Sequence, residues 1–234
     1  MLANVIEFWT EERSLTALLL LLALNLLVLS PASRLGAIVR PMTSISLILL
    51  LLSGIMTMRT HGLFRILAVG FLCLTIVVRI IDLFLDLPWL LVTNLALTSV
   101  CYALILCIVA RMVVREGPIT GHRIQGAIAL YLIIAALFTV LYALLETVSP
   151  GSFRFPDYWQ HGRSELNNVF AYFSFVTMTT VGYGDVTAVH PLARSLVMFE
   201  ALVGQLYPAI LIARLVTLYK GPKSKGKGGE GGNL

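Results

Sequence analysis

The sequence predicts an all-α membrane protein with six transmembrane helices, and three observations predict it. The 234 residues are 58% hydrophobic and 12% charged, with a mean hydropathy of +0.90. Soluble domains are roughly 45–50% apolar and about 25% charged. A spanning helix needs about 20 mostly apolar residues, and six stretches are candidates: Ser14–Ser30, Ser44–Met58, Leu63–Leu85, Pro88–Val114, Ile124–Val148 and Leu192–Tyr219. The third observation is the asymmetry of the basic residues. With the amino terminus inside, ten fall at cytoplasmic ends (Arg13, Arg59, Arg65, Arg111, Arg115, Arg123, Lys220, Lys223, Lys225, Lys227) and four in outer segments (Arg34, Arg40, Arg154, Arg163). Positive charge gathers on the cytoplasmic side of membrane proteins, so both termini are expected there.

The first apolar run also has features of a cleavable leader, ending in Ser30-Pro31-Ala32-Ser33. Glu7, Glu11 and Glu12 precede it against a single Arg13, whereas leader n-regions are basic, so a retained helix is expected. The second run is short and extends outward past Pro41. The third and fourth form a hairpin at Asp86-Leu87-Pro88, with proline suited to the first position of a helix. Cys73, Cys101 and Cys107 read as small buried hydrophobes within apolar helices. A break at Glu116-Gly117-Pro118-Ile119-Thr120-Gly121 divides the chain. It separates a four-helix domain (1–116), few in charges and in a sensor-like position, from a second domain (117–219). Residues 220–234 read as a disordered basic cytoplasmic tail.

Between the fifth and sixth runs the pattern changes. Ser164 can cap a helix, and Leu166, Val169, Phe170, Phe173 and Val176 make an apolar stripe at helical spacing. A re-entrant pore helix over Ser164–Met178 is expected, its carboxyl end carrying about half a negative charge. Thr180-Val181-Gly182-Tyr183-Gly184 follows at once. Carbonyls alternate in direction along ordinary extended chain, and Gly182 and Gly184 permit the positive φ needed to turn them to one side. Rings of such carbonyls from several chains can replace the water shell of a cation. Non-helical backbone at membrane depth survives only inside protein or beside water. Four copies around an axis meet that condition and a lipid-facing loop does not.

Residues 124–219 resemble the pore module of tetrameric potassium channels, and the whole chain resembles their six-helix bacterial members. The resemblance is carried by Tyr172-Phe173-Ser174-Phe175-Val176-Thr177-Met178-Thr179-Thr180-Val181-Gly182-Tyr183-Gly184-Asp185. It implies a homotetramer in a prokaryotic plasma membrane that passes K⁺ down its gradient. In that arrangement Thr180, Val181, Gly182, Tyr183 and Gly184 line the K⁺ sites of a selectivity filter. Asp185, Tyr172 and Thr177 support that filter. Simple two-helix channels often carry glutamate where this chain has Val176; voltage-gated ones more often carry valine. The resemblance also places a gating hinge at Gly204. Pro208, which lacks a donor and crowds the preceding turn, is expected to kink the last helix. From Gln205, Pro208, Ile212 and Val216 share one face, the candidate cavity and lower constriction.

Glu146 is read either as a brace for the outer end of the last helix or simply as an interfacial charge. Glu200, ionisable within an apolar helix, is a candidate modulatory group by default: either it hydrogen-bonds the back of the pore helix and acts as a proton sensor, or it is a neutral buried acid satisfied by a neighbour. Conventional voltage gating is not expected. One charge moved through 100 mV is worth roughly 2.3 kcal/mol, so steep gating needs several arginines in the field. The fourth helix has only Arg111 and Arg115, at its inner end, while Arg79 is spaced to pair with Asp82.

K⁺ is the only cofactor expected, with no organic one. Expected partners are three further copies and membrane lipids, anionic ones through the basic tail at about 1 kcal/mol per basic residue. No nucleic acid is expected. The short tail leaves no room for a cytosolic ligand-binding domain. His61, His122, His161 and His190 are scattered and suggest no metal site. Without a nucleophile beside a base, or an acid–base pair at workable spacing, no enzymatic activity is expected. A transporter subunit would carry four degenerate pore repeats where this chain has one. A non-conducting potassium sensor could use the same carbonyl cage.

Overall fold

A computed structural model describes residues 18–29, 45, 48–49, 63–84, 87–114, 121–156 and 163–218. Nearly all of the second expected helix, residues 116–120 of the expected break and the basic tail lie outside the described residues, as does the side chain of Asp82. Of the first helix, residues 18–29 are helical and the last turn, Leu24–Leu29, is wound as a π-helix.

Five α-helices and a two-stranded ribbon follow. The helices are α1 (Leu63–Phe84), α2 (Pro88–Val114), α3 (Gly121–Val148), α4 (Arg163–Met178) and α5 (Pro191–Leu218), with strands β1 (Phe153–Arg154) and β2 (Thr187–Ala188). The expected boundaries hold within one residue, except that α3 begins three residues early. Local chemistry explains the sharp starts. Pro88 opens α2 and Pro191 opens α5, where a missing N–H costs nothing. His190 caps α5: its Nδ1 accepts from the Leu192 amide at 3.2 Å and its carbonyl from the Arg194 amide at 3.0 Å.

Among the described residues, three helical stretches are long and apolar enough to cross a membrane: Pro88–Arg111, Ile124–Val148 and Pro191–Arg214. The protein is thus an α-helical membrane protein. Several hydroxyl groups inside these helices are answered locally. Thr98, Ser99, Thr139 and Thr147 each donate to the carbonyl four residues back, at 2.6–2.8 Å, so they bring no orphan donor into an apolar layer.

The helices pack in sequence: α1 on α2, α2 along α3, α4 against α3, and α5 against α4 and α3. The core lies around α3, where Ile133, Ala135, Ala136 and Tyr142 are sealed. Small residues there let neighbouring backbones approach, as membrane helix packing requires. At the inner end, Arg214 of α5 donates to the carbonyls of Val113, at 3.3 Å, and Val114. A cation there satisfies the orphan acceptors at the end of α2. Of the cysteines, Cys101 is buried but Cys73 and Cys107 are exposed. This corrects the expectation for those two: apolar neighbours in sequence do not fix which way a helix face turns.

Candidate functional site

The segment after α4 is held by the helix it leaves. α4 ends at Met178, and its last carbonyls turn to the following amides. Thr179 N donates to Phe175 O at 2.9 Å and Thr180 N to Thr177 O at 3.0 Å. Val181 N and Gly182 N share Val176 O at 3.0 and 3.3 Å. The backbone then takes positive φ at every second residue: 59° at Thr180, 56° at Gly182 and 78° at Gly184. Left- and right-handed residues alternating in this way swing successive carbonyls toward one side.

The glycines were legible in advance, but Thr180 was not. A β-branched residue at positive φ is a true outlier, and such strain persists only where the surroundings over-determine it. The Thr180, Val181 and Gly182 amides, all pinned to the end of α4, supply that constraint. Residues 180–184 are exposed on the single chain, with Tyr183 at 70%.

Behind this segment Tyr172 Oη donates to Asp185 Oδ2 at 2.8 Å, and the other Asp185 oxygen accepts its neighbour's amide, Val186 N, at 3.0 Å. The rings of Tyr172 and Tyr183 lie parallel, 6.3 Å apart. The expected supports Tyr172 and Asp185 are therefore in contact, and Thr177 contributes its carbonyl. A recess of about 540 Å³ lies between the segment and α5, its lining including Phe173, Val176, Thr177, Val197, Met198 and Ala201.

Glu146 braces a different partner from the one expected. Its carboxylate accepts from Gly151 N at 2.8 Å and Phe153 N at 3.0 Å, closing the turn after α3. It bears on α5 only through the ribbon, where Phe153 pairs with Ala188 and Arg154 with Thr187. Gly151, at φ 85°, makes that turn possible. Phe153 then plugs into rings from two helices, 5.3 Å from Tyr142 and 4.8 Å from Phe170.

Glu200 is completely buried, as both of its sequence readings allow. It accepts from Tyr142 Oη of α3 and meets Ser174 Oγ of α4. One turn on, Gly204 sits against the end of α4, where an added Cβ would lie 2.6 Å from both Cα and O of Met178. Close approach is thus a sufficient reason for glycine at 204. Helix α5 continues unbroken through Pro208. Pro208, Ile212 and Val216 are all exposed on the single chain, and Tyr207 ties α5 to α3 by donating to Ala127 O at 2.6 Å.

A helix, a strained segment and a second long apolar helix thus follow one another here. Residues 127–220 match the model of a family described as ion channel. A stretch of 97 residues, 40% of this chain, is 34% identical to the inward rectifier potassium channel Kirbac3.1 of Paramagnetospirillum magnetotacticum, covering 28% of that protein. Another of 87 residues, 37% of this chain, is 33% identical to Protein LctB of Bacillus caldotenax, covering 64% of that protein. The matched regions thus span less than two thirds of either relative. No solved structure matches the chain.

Proposed function

We propose that four copies of this chain form a potassium-selective channel in a cell membrane, conducting K⁺ passively along the axis they share. The observation that carries this reading is the alternation of positive φ at Thr180, Gly182 and Gly184 within Thr-Val-Gly-Tyr-Gly, secured to the end of α4. One chain supplies one such strand, and a closed ring is needed to surround an ion with carbonyl oxygens. The likeness to a potassium channel over 97 residues supports the choice of ion.

In this reading α4 is a re-entrant pore helix, α3 and α5 are the outer and inner helices, and Thr180 to Gly184 hold K⁺. The exposed apolar face of α5, with Leu202, Leu206 and Ile210, supports burial against other copies. The helices before α3 complete a six-helix subunit with both termini in the cytoplasm. They do not act as a conventional voltage sensor: α2 carries no charge between Pro88 and Ala110, and its Arg111 sits exposed in the last turn.

Single-channel recording of the purified protein in a planar bilayer tests the reading. Discrete current steps reversing near the K⁺ equilibrium potential are expected, with only shallow dependence on voltage. Equal permeability to K⁺ and Na⁺, or a monomer or dimer as the working species, overturns the channel. A steep conductance–voltage curve overturns the account of the first helices alone.

A further inference from the structure

We infer that Glu200 is a positioning residue for the filter: it latches α5 to the back of α4, so that α4 and the strand it carries follow α5. This rests on the channel reading above and adds to it the particular joint by which α5 holds α4.

Three helices meet at the Glu200 carboxyl. Tyr142 of α3 donates to one oxygen, and Ser174 of α4 meets the other. Ser174 Oγ also lies 3.0 Å from the Ala135 carbonyl of α3. All three side chains are sealed from solvent, so none can exchange its partner for water, and a buried polar group left unmatched is costly. The node is therefore a directional joint, where an apolar contact would allow sliding.

The joint does not stand alone. Ser174 and Met178 lie four residues apart on α4, as Glu200 and Gly204 do on α5, so each pair occupies one helix face. The upper pair is joined by hydrogen bonding. The lower is joined by backbone contact so close that a Cβ at 204 would fall 2.6 Å from Met178. Tyr131 of α3 adds a hydrogen bond to Met178 O at 3.3 Å. Between the two levels, the carbonyls of Phe175, Val176 and Thr177 hold the amides of residues 179–182. Displacing α5 thus drags or releases the end of α4, and that end sets the backbone of the filter strand.

The node also states which side chain can serve. Ser174 has one hydroxyl proton and two acceptors in reach. The node stays matched when the group at 200 accepts from Tyr142 and hydrogen-bonds Ser174, whose hydroxyl reaches both position 200 and the Ala135 carbonyl. A carboxamide meets both demands. Leucine has similar bulk and meets neither.

The test uses full-length protein reconstituted in planar bilayers and compares the parent with Glu200→Gln and Glu200→Leu. Glu200→Gln is expected to keep the K⁺/Na⁺ permeability ratio of the parent. Glu200→Leu is expected to lower that ratio about tenfold, as loss of a strong buried hydrogen bond would, with assembly size and helix content unchanged. A parent without K⁺ selectivity sinks the channel reading beneath this inference. A selective parent whose Glu200→Leu variant is equally selective overturns the latch itself, as does Glu200→Gln behaving like Glu200→Leu. Should Glu200→Leu fail to assemble, Ser174→Ala removes the same joint from the α4 side. A lowered ratio there supports the latch and an unchanged one overturns it.

Discussion

Helices α3 and α5 are each 28 residues long and each apolar enough to cross a bilayer, yet the fold treats them in opposite ways. Over its membrane window α3 is 61% buried within its own chain, and α5 is 11% buried. Helix α3 is closed in by α2, α4 and α5; α5 touches its own chain along one edge, at residues that include Glu200, Gly204, Tyr207 and Arg214. The difference teaches that apolarity alone does not say what will cover a helix. The chain completes the surroundings of α3, and those of α5 are left, we propose, to other copies.

The largest effect is expected in the segment that joins the two environments. In Gly182→Ala no atom of the same chain stands within 4 Å of the new Cβ, so no clash within the chain is expected. The residue must instead hold φ 56°, at about 1–2 kcal/mol for an L-residue in every copy. Current through this variant should lose most of its preference for K⁺ over Na⁺, measured as a shift in reversal potential under mixed-ion conditions.

The comparison itself is sharpened by two matched truncations. Ile133 of α3 is fully buried, while Ile210 of α5 is 63% exposed on the single chain. Ile133→Ala should cost about 2–5 kcal/mol wherever the chain is folded, seen as a lower Tm in detergent even under conditions that dissociate the assembly. Ile210→Ala should leave the dissociated protein unchanged and raise the fraction of small species on dilution. Equal losses of Tm in the dissociated state would break the contrast between the helices.

The smallest effect concerns the brace behind the filter. Tyr172→Phe removes the 2.8 Å hydrogen bond to Asp185 while keeping the ring beside Tyr183. One such bond is worth about 1 kcal/mol. A severalfold faster loss of current during sustained recording is expected, with ion preference retained. An unchanged time course would show that the stacked rings alone secure the strand.

Much of this arrangement was legible in residue order, because its causes are local. Long apolar runs satisfy their own backbone in a bilayer as helices, and Pro88 marks where one of them begins. Gly182 and Gly184 announced positive φ because they lack a Cβ, and the Tyr172–Asp185 support was implied by the resemblance. That Glu200 meets the back of the expected pore helix was legible, but its particular partners were not. Tyr142 and Ser174 stand 58 and 26 residues away, and no local pattern reports which helix faces will meet. Nor did the chain announce that Thr180 takes positive φ, that Glu146 turns to the amides of Gly151 and Phe153, or that Cys73 and Cys107 face outward. Each depends on which atoms packing brings within about 3 Å, a distance at which hydrogen bonds form and which only the assembled helices decide.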